Sequence, residues 1–184
     1  MLDRIALITG NAGKAAEYAA ILGIDVTPAK AELTEIQSLD EADVAARKAA
    51  DAYAQLGEPV LVDDTGLTIH AWNGLPGALV AWFLDTVGPQ GILAVAAGLT
   101  DRRAAVTTAL GYATADGVRV FQGTVNGTLA TEPRGEAGFG YDSILVPDSD
   151  TGQRTYAQMT SEEKTKISHR RRAVEEMRSA LGLT

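Results

Sequence analysis

The sequence predicts an α/β fold built as one domain, and three observations point there. Short apolar runs of strand character alternate with amphipathic helical stretches through the N-terminal third. Two long segments of strand character, 105–114 and 118–129, meet at Asp116-Gly117, a hairpin signal. With 184 residues, 46% of them hydrophobic, and mean hydropathy near zero, the chain can bury one sizeable core that opens at most into two lobes around a cleft.

Taken in order, Ile5-Ala6-Leu7-Ile8 reads as a buried strand. Thr9-Gly10-Asn11-Ala12-Gly13-Lys14 follows as a loop, before a helical pattern at Ala15, Tyr18, Ala19 and Leu22 that stops at Gly23. Strand, small-residue loop and helix place free backbone N–H groups at one spot, where an anion is attracted. The spacing is neither a Walker A loop nor GxGxxG, so taken alone it is an ordinary strand-to-helix turn with Lys14 at the surface. Residues 24–27 form a second strand. Ser38-Leu39-Asp40-Glu41 has the form of a capping box and starts a helix that runs to Leu56 and ends at Gly57. Arg47 lies four residues from both Asp43 and Asp51 and reads as solvated. Lys48 sits at the margin of the apolar stripe of Ala45, Ala49, Tyr53 and Leu56, able to turn its ammonium to water or into a cleft.

Val60-Leu61-Val62 is a short buried strand that delivers Asp63 and Asp64 to its end. Taken alone, Asp63-Asp64-Thr65-Gly66 is a turn whose aspartates bond their own backbone. Side chains alternate across a strand, so the two carboxylates face opposite ways, and each needs a cation, donor or metal to offset its desolvation. Beyond the turn Gly74-Leu75-Pro76-Gly77, a helix over 79–87 offers Leu79, Trp82, Phe83 and Val87 to the core, and a second helix covers 90–97. His70 and Trp72 read as packing residues. Gly138-Phe139-Gly140-Tyr141-Asp142 is a glycine-flanked aromatic loop before the strand 144–146. Two rings and a carboxylate there suit a flat heterocycle; alone, the loop is a turn with tucked aromatics. Thr160-Ser161-Glu162-Glu163 is another capping box. In the helical segment behind it, Arg171 and Arg172 precede Glu175 and Glu176 by four and read as surface pairs. His169 and Arg170 precede Ala173 and Val174 by four, lean toward the body, and join Lys164 as an anion-binding set.

Composition removes whole classes. A net charge of −8 argues against a nucleic-acid polymer or an anionic membrane as partner, so an anionic ligand must be met by a local cluster. No opening run resembles a signal peptide and no apolar run approaches the ~18 residues of a membrane span. The absence of cysteine excludes disulfides and thiol chemistry and fits a reducing, cytoplasmic setting.

Together, Thr9-Gly10-Asn11 with Lys14, Val62 to Leu67 with Gly74 to Gly77, Gly138 to Asp142, and Glu163-Lys164 with Ser168-His169-Arg170 resemble the inosine triphosphate pyrophosphatase family, the Ham1-like non-standard purine NTP pyrophosphatases. The blocks occur in order over nearly the whole chain. The resemblance implies a long mixed central sheet flanked by helices, two lobes around a deep cleft, and a homodimer. It implies hydrolysis of the α–β anhydride of ITP, dITP and XTP to monophosphate and pyrophosphate with Mg²⁺, cleaning the nucleotide pool. Residue by residue, Thr9, Gly10, Asn11, Ala12, Gly13 and Lys14 hold the triphosphate, aided by Lys48. Glu35 and Asp64 bind the metal, Asp64 also takes the proton, Lys14 shares the catalytic site, and Asp63 and Thr65 stand beside them. Phe139, Gly140, Tyr141 and Asp142 frame the base, while Lys164, His169 and Arg170 complete the nucleotide site. Ser143 and Gln158 depart from the family's usual proline and glutamate. A pyrophosphatase for other modified nucleotides and a non-hydrolytic sensor are the alternatives; intact Glu35 and Asp64 favour hydrolysis.

Overall fold

The computed structural model describes residues 4–182, and within them seven strands form one mixed sheet. β1 (Arg4–Ile8), β2 (Asp25–Ala29) and β3 (Val60–Ile69) run parallel in the order β2-β1-β3, and β4 (Pro76–Gly77) folds back on the far end of β3. β5 (Arg103–Thr114), β6 (Gly117–Leu129) and β7 (Leu145–Pro147) extend the sheet antiparallel from β3. Six helices accompany it among the described residues: α1 (Ala12–Leu22), α2 (Glu41–Leu56), α3 (Val80–Thr86), α4 (Gly88–Val95), α5 (Ser161–Ile167) and α6 (His169–Leu181).

Alternation along β3 sorts the core. Leu61 packs with Leu7, Tyr18, Leu110, Val174 and Met177 under α1 and α6. Val60 and Val62 pack with Ala6, Ile8, Ala49 and Ala52 under α2. A third cluster, around Leu67, Val106, Val125, Ile144 and Tyr156, fills the other half of the molecule, and the cleft opens between the halves. Two glycines let helices approach the sheet closely. Gly111 lies against the Ala45 carbonyl of α2, and Gly123 against the His169 carbonyl of α6, where any Cβ would collide with backbone.

Several expectations are corrected. β3 does not end in a turn at Asp63: it runs on to Ile69, and residues 60–69 all pair with β5, including Asp63 with Leu110 and Asp64 with Ala109. The aspartate backbones are satisfied by the ladder and their side chains by the helices, so turn chemistry is not needed. α1 begins at Ala12, which shortens the loop to Thr9–Asn11 and puts Gly13 and Lys14 in the first helical turn. α2 is capped by Asp40, whose carboxylate accepts from the Ala42 N–H at 2.8 Å; Ser38 instead accepts from the Asp40 N–H, and Glu41 is buried. The segment after Thr160 is two helices, because Ser168 leaves helical geometry and caps α6. Trp82 is 69% exposed and Val87 and His70 are also exposed, so none of the three is a core residue. Arg172 donates to the Thr124 carbonyl, while Glu176 accepts from the Gln122 N–H, so that pair does not form. At Gln158 the amide oxygen accepts from the Thr155 N–H at 3.0 Å, the capping duty a glutamate would serve there.

Gly123→Ala is expected to lower the free energy of unfolding by about 1–3 kcal/mol, since α6 must lift off the sheet to admit the methyl group. Urea unfolding measures it; an unchanged midpoint would show that α6 is not seated on Gly123.

Candidate functional site

Adjacent aspartates in the interior of β3 reach opposite faces of the sheet, and each is met by a different helical layer. On the α1 and α6 face, Asp63 is fully enclosed by its partners. Lys14 bonds Oδ1, while the Tyr18 hydroxyl at 2.8 Å and Arg170 Nε at 3.2 Å donate to Oδ2. Burial alone would raise the Asp63 pKa, but the charges of Lys14 and Arg170 outweigh it and hold the carboxyl well below the usual range. Arg170 is only 2% exposed and stays charged because Asp63 and Glu17 offset its desolvation. Glu17 joins the set to α5: its Oε2 accepts from Arg170 Nη1 at 2.8 Å and its Oε1 from Lys164 Nζ at 2.6 Å. Lys164 Nζ also donates to Asp142 Oδ2 at 2.7 Å. One continuous chain of alternating charges, Lys14, Asp63, Arg170, Glu17, Lys164 and Asp142, therefore ties α1, β3, α6, α5 and the aromatic loop together.

The α2 face is built differently. Lys48 Nζ donates to Asp64 Oδ1 at 3.0 Å and to Glu35 Oε1 at 2.8 Å, turning its ammonium into the cleft and not to solvent. The second oxygen, Asp64 Oδ2, is buried without a hydrogen-bond partner among the described residues. Burial raises the Asp64 pKa despite Lys48. Glu41 is a third carboxylate on this face. It lies over Gly66, its Oε1 is likewise buried without a partner, and burial followed by the Asp64 charge raises its pKa.

At the end of β1, the Thr9 hydroxyl accepts from the Asn11 N–H at 3.0 Å, and the Asn11 side chain caps α1 by accepting from the Lys14 N–H at 3.1 Å. The result is a helix N-terminus facing the cleft beside Lys14, suited to an anion. Across from it the Phe139 ring lies 4.6 Å from Lys164 Nζ and 5.2 Å from Arg170 Cζ. The same ring rests on Gly13, where a Cβ would press into it at 2.8 Å. Asp142 holds the loop closed by accepting from the Phe139 N–H at 2.8 Å.

The cleft itself encloses about 630 Å³, a size suited to a small-molecule ligand. Of the residues singled out in the sequence, Thr9, Gly10, Asn11 and Lys14 line it at one end, and Glu35, Lys48, Asp63, Asp64 and Thr65 along its floor. Phe139, Gly140, Tyr141, Asp142 and Arg170 close the other side. Ala12, Gly13, Lys164 and His169 are not among the lining residues. Lys164 adjoins the cleft wall through Asp142 and the Phe139 face, and His169, with no exposed surface, touches Tyr141 instead. Burial, with Arg170 and Lys164 nearby, pushes the His169 pKa well below its ordinary value, so the ring is neutral. Two contributors, Glu17 and Glu41, were not anticipated. The only cue to Glu17 is its place three residues after Lys14 on one helical face. Glu41 was absorbed into the supposed capping box.

For a divalent cation, the α2 face supplies the hard oxygen donors that Mg²⁺ takes. Asp64 offers an unpartnered buried oxygen, and Glu35 is drawn to the same ammonium. Among the described residues no group of three or more His, Cys, Asp or Glu side chains could hold a metal. Two carboxylates fit a magnesium site that leaves its remaining positions to water and phosphate oxygens.

A model of the Ham1 family matches residues 5–180. Inosine triphosphate pyrophosphatase 2 of Trypanosoma cruzi is 42% identical over 174 residues, covering 93% of this chain and 88% of its own length. A dITP/XTP pyrophosphatase of Methanopyrus kandleri is 42% identical over 176 residues, covering 94% and 93%. The solved structure of the Staphylococcus aureus Ham1 protein superposes with a TM-score of 0.83 at 31% identity, covering 97% of this chain and 98% of that one.

Asp63→Asn is expected to destabilise the protein by about 3–5 kcal/mol at neutral pH, because Arg170 and Lys14 lose a buried counter-charge. A carboxyl with a depressed native pKa contributes stability that is present above its unfolded value, near ~3.9, and is lost as pH falls through the native one. The gap between wild type and variant, measured by denaturant unfolding, therefore narrows on going from pH 7 to pH 3. Arg171→Ala, by contrast, removes a half-exposed pair with Glu175 and a hydrogen bond to the Thr165 carbonyl, and is expected to destabilise the protein by about 1 kcal/mol. Its turnover should match wild type; a large drop would show that the arginines of α6 have been misassigned.

Proposed function

Because this chain belongs to the Ham1 family, we propose that it hydrolyses non-standard purine nucleoside triphosphates, ITP, dITP and XTP, to the monophosphate and pyrophosphate. The observation that carries this reading is the division of labour between the two aspartates of β3. Asp63 has both oxygens engaged and a depressed pKa, so it serves as an anchor for cations. Asp64 has a free buried oxygen and a raised pKa, the state suited to a group that accepts a proton.

In the proposed reaction, the nucleotide lies along the cleft with its phosphates at the α1 N-terminus and Lys14, and its base against Phe139. Lys48 and Arg170 flank the reacting end. Water attacks the α-phosphorus, the bond from that phosphorus to the bridging oxygen breaks, and pyrophosphate departs. The proton from water passes to Asp64, whose other oxygen is steadied by Lys48. Mg²⁺ held by Asp64 and Glu35 would supply charge neutralisation at the phosphates. Recognition of the 6-oxo group, the feature that separates these bases from adenine, falls to donors in the aromatic loop, since neutral, enclosed His169 does not line the cleft.

The wider setting belongs to the same proposal. A homodimer is supported by the exposed apolar side chains on α3 and α4, among them Trp82 at 69% and Val95 at 65% exposure. Among the described residues no helix is long and apolar enough to cross a membrane. A cytoplasmic location is supported by the lack of cysteine.

Incubating the protein with a panel of nucleoside triphosphates, with Mg²⁺ or with EDTA, tests the reading. Monophosphate and pyrophosphate are expected from ITP, dITP and XTP, little from ATP, and none in EDTA until Mg²⁺ is restored; orthophosphate as the product would reject α–β cleavage. Asp64→Asn is expected to lower turnover by roughly 10²–10⁴-fold while leaving the unfolding midpoint near that of wild type. Near-normal turnover would remove Asp64 from the reaction.

A further inference from the structure

Glu41 stands beside the reacting strand without a part in the proposed reaction. It opens α2, is 8% exposed, and its Oε1 lies without a hydrogen-bond partner among the described residues, a condition shared by Asp64 Oδ2. Both orphan oxygens belong to one face of β3. The Glu41 carboxyl occupies the place that a Gly66 Cβ would take, and Gly66 follows Asp64 by two residues, so the two positions share a face ~6.6 Å apart. About two turns further along α2, Lys48 donates to the other oxygen of Asp64, so one helix carries both residues to the strand. Asp64 lines the cleft and Glu41 does not. A count of charge then separates the two faces of the sheet. On the α1 and α6 face, Asp63, Glu17 and Asp142 are balanced by Lys14, Arg170 and Lys164. On the α2 face, the carboxylates of Glu35, Asp64 and Glu41 are met, among the described residues, by Lys48. The shortfall is two positive charges, the charge of one divalent cation.

We propose that Glu41 is a positioning residue for the metal: its Oε1 accepts a hydrogen bond from a water carried by Mg²⁺ at Asp64 and Glu35, so that the cation is answered by two carboxylates directly and by a third through water. Mg²⁺ suits such an arrangement, because it gives up water reluctantly and is commonly held by one or two carboxylates with water in the remaining positions. A carboxylate that receives one of those waters fixes its direction and adds negative charge without becoming a ligand. Gly66 belongs to the same device, since any side chain there would displace the Glu41 carboxyl. The inference rests on the proposed magnesium site, and its first test reads the metal in protein free of nucleotide.

Mn²⁺, which takes the same oxygen donors and is visible by EPR, serves as the probe. Wild-type protein is expected to hold it, and Glu41→Gln, nearly isosteric but uncharged, to weaken its binding by about tenfold. Asp43→Asn removes a charge from the same turn of α2 at an exposed site and is expected to stay within about twofold of wild type, because water and salt screen that charge. Gly66→Ala keeps every charge but pushes the Glu41 carboxyl aside, and is expected to weaken binding by about as much as Glu41→Gln does. Unchanged binding in Glu41→Gln or Gly66→Ala, an equal loss in Asp43→Asn, or a wild type that holds no Mn²⁺ overturns the proposal. Urea unfolding in EDTA guards against a folding defect: Glu41→Gln is expected to be at least as stable as wild type, since it removes a buried charge that has no partner there. A purely structural Glu41 would do the reverse, lowering the midpoint and sparing Mn²⁺. In ITP hydrolysis, Glu41→Gln is expected to raise the Mg²⁺ concentration for half-maximal rate by about tenfold and to keep kcat at saturating Mg²⁺ within about threefold of wild type. A wild type inactive on ITP whose Mn²⁺ binding still weakens in Glu41→Gln would sink the proposed substrate and leave the part of Glu41 standing.

Discussion

The molecule is organised by one constraint: two carboxylates stand side by side in the interior of a ten-residue strand, and a strand cannot send neighbours to the same face. Both must leave water, and each requires its own compensation from whichever layer covers its side of the sheet. α1 and α6 therefore have to bring Lys14, Tyr18 and Arg170 to Asp63, and α2 has to bring Lys48 to Asp64. The layers cannot be exchanged or shifted by a residue without leaving a charge buried alone. Gly111 and Gly123 serve the same demand, since close seating of α2 and α6 is what lets their side chains reach the strand.

From this constraint follows a difference in function between neighbours of identical chemistry. Asp63, held on both oxygens, is an element of structure that fixes the direction of two cations. Asp64, held on one, keeps an oxygen in reserve. Glu17 extends the logic by gripping Arg170 and Lys164 with separate oxygens, so the cations enter the cleft region already oriented. Pre-oriented charges of this sort need little reorganisation when a ligand's charge arrives or shifts, which is where electrostatic catalysis gains most.

What could be read from the sequence is whatever periodicity decides. The opposed facing of Asp63 and Asp64, the inward lean of Arg170 beside the outward Arg171, and the hairpin near Asp116 follow from repeats of two or 3.6 residues and from turn chemistry. The extension of β3 past Asp63 could not be read. Local propensity in Asp-Asp-Thr-Gly favours a turn, and what overrides it comes from Lys14 and Arg170, 49 and 107 residues away. Glu17 was hidden for the same reason, with both partners about 150 positions distant, 147 and 153 by count. Trp82 failed in the other direction: its helical spacing promised a core face, but the short α3 leaves that ring in solvent. His169 shows a subtler limit, because facing inward does not decide whether a side chain lines the cleft or packs behind its wall.

The balance of charge inside the site bears on how an acidic protein can accept a polyanion at all. Lys14, Lys48, Lys164 and Arg170 are matched by Glu17, Glu35, Asp63, Asp64 and Asp142, so before any ligand arrives the carboxylates outnumber the cations five to four. None of these cations is a spare charge waiting for phosphate; each already has a carboxylate within bonding distance. A bare triphosphate would deepen an existing deficit in a low-dielectric cleft, where like charges repel far more strongly than in water. Under the proposed reaction, divalent cations that travel with the nucleotide would reverse that sign locally, and the carboxylate excess would then attract the metal complex. The same excess sets a bias against unmetallated anions, including inorganic phosphate, that would otherwise compete for a helix N-terminus and a lysine. In the proposed reaction, an acidic surface and an anionic substrate would thus be reconciled within the cleft by the oxygens of Asp64 and Glu35.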